Sequence, residues 1–199
     1  MDNNNYQMPP DYSQMMPDYS YNDPYAFRVG FGRRLGAFLI DYLIFSLIFT
    51  IVLFITGKID DLMSIGTSGT FDLEEIMNAS QSIAPLTLTI SLIYYSLEAF
   101  IGATLGKLTL GIKIASDNQT PAPIQKLLIR YIVKNVNTVL ATIGLAISFM
   151  GTIGSLLGFV VFIGFFFIFG QKKQGFHDMI AGTAVYYNEE IIKSNTGNL

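Results

Sequence analysis

The stretch LGAFLIDYLIFSLIFTIVLFIT, residues 35–56, is apolar apart from Asp41, Tyr42 and Ser46. A helix needs roughly 20 apolar residues to cross the hydrocarbon of a bilayer, so this run can span it once. A second run, 83–103, contains Tyr94, Tyr95 and Glu98. A third, 132–169, has no acidic residue and only Lys134 as a basic one. At a rise of about 1.5 Å per residue, the third run is too long for one helix. The segment MGTIG at 150–154 offers a break, which predicts spans at 132–150 and 153–169. The expected fold is all-α: a polytopic transmembrane bundle of about four spans over residues 28–187.

Composition agrees. Only 14% of the 199 residues are charged and 51% are hydrophobic; mean hydropathy is +0.44. Soluble domains run near a quarter charged. There are no cysteines, so disulfides and thiolate metal sites are excluded. The basic residues are scattered beside apolar runs, which gives nucleic acid nothing to bind.

Charge asymmetry separates four spans from three. With the N-terminus inside and four spans, eleven of the twelve basic residues fall on the cytoplasmic side, leaving Lys58 outside. Three spans, with part of 132–169 re-entrant, would move Lys172, Lys173 and Lys193 outside. The positive-inside rule favours four spans with both termini cytoplasmic.

The segments around the spans differ in character. Residues 1–27 are rich in Asn, Tyr, Met, Pro and Asp and repeat the motif PDYS at 10–13 and 17–20. Such a segment buries too little apolar area to offset its ordering entropy, so a disordered tail is expected. It has no basic start and no apolar core of a signal peptide. Residues 188–199 form a polar C-terminal tail. The outer loop, 57–82, sets Asp60, Asp61, Asp72, Glu74 and Glu75 against Lys58, and predicts a short helix near Asp72. The inner linker, 104–131, is β-rich at 108–115, turns at Ser116-Asp117-Asn118, and opens a helix at Pro121 and Pro123. On that helix Lys126, Arg130, Lys134 and Asn137 share one face.

Ionisable residues at membrane depth are costly and usually face the protein interior or a water-filled cavity. Asp41 lies six residues inside the start of the first span and Glu98 five residues before the end of the second. Both are therefore roughly 8–9 Å from the cytoplasmic edge. Facing carboxylates at one level would need a shared proton, a shared cation or a protein counter-charge. Arg34, two turns before Asp41 on the same face, and Arg130 and Lys134 are the candidate counter-charges. Ser91, Tyr94, Tyr95 and Glu98 form a polar face on the second span. Asp178, beside the only histidine, His177, either relays protons at the membrane edge or caps a short helix at 179–184. Glycines at four-residue spacing (Gly32/Gly36, Gly102/Gly106, Gly154/Gly158) permit close helix packing, within the chain or in a homodimer. With no nucleophile–base arrangement and a single histidine, the reading is of a protein that is not an enzyme, with no cofactor and no metal site.

At these residues the sequence resembles the RDD family of membrane proteins, named for one arginine and two aspartates. The first two look like Arg34 and Asp41 in RRLGAFLID; the third looks like Asp178 in KKQGFHDMIAGT. GATLGKLTLGIKI at 102–114 is similar to the family's linker block, with Thr104, Gly106 and Lys107 at its core, and Arg130 matches a basic position that begins the next segment. Members are described with three spans, against four here. The resemblance implies a multi-pass protein of a bacterial cytoplasmic membrane and, as an expected activity, cation/proton antiport.

Two functions are expected. One is a secondary transporter exchanging monovalent cations for protons, with Asp41, Glu98 and Asp178 binding the ion or proton. The other is a non-catalytic scaffold or regulator in the lipid bilayer that binds another membrane protein or lipid.

Overall fold

The first apolar run folds as α1, Phe31–Ile55, in the computed structural model, which describes residues 25–67 and 72–192. Its polarity is inverted relative to a helix of a soluble domain. The buried residues are Arg34, Ala37, Asp41 and Leu53, while Phe38, Leu43, Leu47 and Phe54 are exposed. Lipid is as apolar as leucine, so such a helix gains nothing by hiding leucines and turns its charges inward.

The chain continues through α2 (Ile59–Thr67) into α3 (Leu73–Ile101). The Asp72 carboxylate caps α3 by accepting from the backbone N–H groups of Glu74 and Glu75 at 2.9 and 3.3 Å. The helix expected near Asp72 is thus the start of the second span itself, ten residues earlier than its apolar run. Gly102, at φ +73°, ends α3 in a left-handed turn that favours glycine. Then come α4 (Leu105–Thr109), β1 (Ile112–Ser116), α5 (Ile124–Lys134), α6 (Val136–Gly144) and α7 (Ser148–Phe165), the last followed by a 3₁₀ turn at Phe166–Phe169. α8 (Phe176–Ala181) and β2 (Thr183–Tyr187) complete the fold, with α8 starting three residues before the helix expected at 179–184.

The expected span at 132–150 is not one helix. α5 stops at Lys134, the backbone breaks at Asn135, and α6 is nine residues long. Among the described residues three helices are long and apolar enough to cross a membrane: Phe31–Ile55, Leu73–Ile101 and Phe149–Phe169. The chain nevertheless traverses the bundle four times. Phe31 at the start of α1 stacks on Phe165 and Phe169 at the end of α7, so both lie at one end, called the near end. At the other, far end, Gly144, Leu145 and Gly151 share a cavity of about 690 Å³ with Ile83 and Leu88 of α3. α5 and α6 together climb between these levels. From Arg130 to Gly144 is about 21 Å at helical rise, which matches Glu98 to Ile83 on α3. The turn comes at 145–147, not at 150–154. Gly154 and Gly158 lie inside α7 and face α6, where an added Cβ would stand 2.8 Å from Leu140 and 2.7 Å from Asn137. Here the glycines serve close packing within the chain.

The near end carries a feature that the all-α reading lacked. β1 and β2 pair antiparallel, Ile114 opposite Val185, and Val29 donates its N–H to the Val185 carbonyl at 2.8 Å. Val29, Ala37, Ile112, Ile114, Leu127 and Val185 form a small apolar core there. The expected tails fall mostly outside the described residues: 1–24 and 193–199 are not described, and 188–190 form a 3₁₀ turn.

Candidate functional site

Four elements converge at the near end, and each delivers charge for a local reason. α1 carries Arg34 and Asp41 seven residues apart on its inward face. α3 ends on Glu98. α5 presents Lys126, Arg130 and Lys134 at four-residue spacing toward the protein, not toward headgroups: Lys126 Nζ donates to the Gly182 carbonyl at 2.9 Å. α8 starts at Phe176, and its third residue, Asp178, reaches back to accept from the Gly175 N–H at 3.1 Å. Asp178 therefore does cap a short helix, from inside its first turn.

Asp178 is fully buried and held by two guanidinium groups. Arg34 Nη1 donates to its Oδ2 at 2.6 Å and Arg130 Nε to its Oδ1 at 2.7 Å. Arg34 also donates to the carbonyls of Val29 and Lys173. Burial alone would raise the Asp178 pKa, but Arg130 and Arg34 hold it well below the usual carboxylate range. Arg130 also pairs with Glu98. Glu98 receives Lys107 Nζ and Lys134 Nζ as well, each at 2.6 Å. One carboxylate thus has three cations around it.

Asp41 is placed otherwise. Its Oδ1 accepts from the Tyr94 hydroxyl at 2.8 Å and the Gly106 N–H at 2.7 Å, and its Oδ2 from the Thr104 hydroxyl at 2.5 Å. Among the described residues no lysine or arginine is paired with it. Among the described residues Asp41 and Glu98 take separate partners, and Arg34 pairs with Asp178 instead of Asp41. The reason is the tight approach of α4 to α1. Gly106 passes so close that an added Cβ would stand 2.2 Å from the Ala37 carbonyl, and this seats the Gly106 N–H and the Thr104 hydroxyl on Asp41.

His177 is buried, with Nε2 3.5 Å from Asp178 Oδ1. Burial, and then the nearby Arg130, Lys134 and Lys107, push its pKa down to about 3 against the pull of Asp178. It is neutral at physiological pH, so it does not titrate there as a free histidine would. Ser91, expected on the polar face, bonds to the carbonyls of Thr87 and Leu88 on its own helix.

The sequence reading missed the partners of Asp41. Thr104 entered only through the family block, Gly106 through that block and the glycine spacing, and Tyr94 only as a face residue. It also missed Arg28, which clasps the near end through the carbonyls of Lys172 and Asp117 at 3.0 and 3.2 Å. Among the described residues no group of three His, Asp or Glu side chains is placed to hold a metal ion.

The RDD family's sequence model matches residues 28–182. "Uncharacterized protein YxaI" of Bacillus subtilis (strain 168) is 29% identical over 165 residues, covering 79% of this chain and 96% of that protein. No solved structure matches.

Proposed function

This chain belongs to the RDD family of membrane proteins, and from that premise we propose that it is a secondary transporter in which Asp41 takes the exchanged monovalent cation or proton. The observation that carries this is the contrast among the three buried acids. Asp178 and Glu98 are each paired with arginines or lysines. Asp41 has only hydroxyls and one amide. A buried carboxylate held by two hydroxyls and one amide N–H, with no lysine or arginine paired to it among the described residues, suits a single cation or a proton, because the net charge then balances locally. Arg34, Arg130 and Lys134 act as its fixed scaffold, with His177 a neutral neighbour. The near end faces the cytoplasm of a bacterial cell, since it gathers the basic residues Arg28, Arg33, Arg34, Lys107, Lys113 and Lys172.

The test is cation-driven pH change in proteoliposomes. Wild type exchanges, and Asp41→Asn loses exchange at least about 100-fold, since the group that binds the ion is gone. Exchange by Asp41→Asn at the wild-type rate overturns the site.

A second reading is a non-enzymatic scaffold or regulator. It is favoured by the saturation of Asp178 and Glu98, which fixes helix packing whether or not anything moves. Wild type that shows no flux with any alkali cation, while Asp41→Asn only lowers the melting temperature, decides for that reading.

A further inference from the structure

The near-end cluster contains one cation more than it contains carboxylates. Arg34, Lys107, Arg130 and Lys134 face Asp41, Glu98 and Asp178. Three of the four cations, Lys107, Arg130 and Lys134, meet on Glu98. A further positive charge arriving at Asp41 would raise the surplus to two, in a site where uncompensated charge is expensive. One of the four has to give up a proton, and arginine does not do so in proteins. The choice lies between the two lysines.

We propose that Lys107 is the group that releases the exchanged proton, so that cation and proton are carried by different side chains. Geometry separates it from Lys134. Lys107 follows Gly106, whose N–H is bonded to Asp41, so the backbone that touches the ion site also carries the ammonium group. Its side chain is 10% exposed, against 29% for Lys134. Lys134 also lies over the Tyr95 ring at 5.6 Å, and it is the alternative that Lys134→Arg tests. Lys107 faces Arg34 and Asp41 from α1, Glu98 from α3, Arg130 and Lys134 from α5, and His177 and Asp178 from α8. Burial, with Arg34 adding to it, brings its pKa down to about 8 against the pull of Asp178 and Asp41. Neutralising Asp41 removes one of those two attractions and lowers it further, which favours loss of the proton. The step balances: a monovalent cation enters, the Lys107 ammonium loses one proton to water, and the resulting amine keeps an N–H for Glu98.

This inference rests on Asp41 as the ion site, and the experiment separates the two. The full chain in detergent, weakly buffered with a pH dye, is titrated with Na⁺, K⁺ or Li⁺, with ion binding followed in parallel by calorimetry. Wild type near neutral pH should release about one proton per cation bound. Release should fade above about pH 8, where Lys107 is already deprotonated. Lys107→Arg keeps the charge and the Glu98 pairing but cannot titrate. It should still bind cation, more weakly, with proton release near zero. Lys134→Arg should release as wild type does. Proton release by Lys107→Arg equal to wild type overturns the role of Lys107, as does its loss in Lys134→Arg alone. Cation binding by Asp41→Asn equal to wild type overturns the ion site instead.

Discussion

At Arg130 one guanidinium serves two buried carboxylates, with Nε on Asp178 and Nη1 on Glu98. Each pairing offsets a desolvation cost that neither acid could bear alone. Removing the arginine leaves Asp178 with Arg34 and Glu98 with its lysines, and strips each of these buried acids of a close partner. Arg130→Met should therefore destabilise the fold by about 3–5 kcal/mol, read as a large drop in melting temperature in detergent. Lys172→Met, at an exposed position, should stay within about 0.5 kcal/mol of wild type. Equal melting temperatures for the two would refute the idea that the near end depends on this network. Arg130 was legible in the sequence as a candidate counter-charge for the inner acids. Its double duty was not, because nothing in local spacing says that α8 and α3 meet α5 from two sides.

The helix pair α6–α7 shows how glycine spacing is used. Four-residue spacing puts Gly154 and Gly158 on one face of α7, and α6 lies directly on that face. Nothing stands within 4 Å of a Cβ added at Gly32, although Gly32 and Gly36 have the same spacing. Gly158→Leu should force α7 off α6 and cost about 1–3 kcal/mol, whereas Gly32→Ala should be nearly silent. Thermal melting of the two variants checks the contrast, and a silent Gly158→Leu would contradict the packing. The pattern was visible in the sequence; which pairs were used depended on which helices met.

On the scale of the whole molecule, four traverses with three long helices make a topological statement that can be measured. The chain has no cysteine, so single cysteines report cleanly. Arg33→Cys and Lys172→Cys lie at the near end and should react with a membrane-impermeant thiol reagent from the same side. Glu75→Cys and Ala146→Cys should react from the opposite side. Labelling of Ala146→Cys together with Arg33→Cys would mean that α6 turns back inside the bundle. The β1–β2 pair belongs to this scale as well. It ties residues 112–116 to 183–187 across the four helices α5–α8 of intervening chain, and closes the near end under the charged cluster.

The apolar runs by themselves determined that this is a helical membrane protein, because the length and polarity of a span are set by the bilayer, which every segment meets independently. They also placed Asp41 and Glu98 near one edge, since rise per residue is a local quantity. Partner choice was decided only by the tertiary structure. Arg34 sits two turns from Asp41 yet binds Asp178, because α8 folds back across the near end and α4 closes on Asp41 first. The third traverse, too, was decided there. Lys134 and Asn135 could have begun a continuous helix, but Lys134 is drawn to Glu98 and the backbone breaks beside it. A buried charge goes to whichever opposite charge the fold brings within reach, and sequence distance carries no information about that.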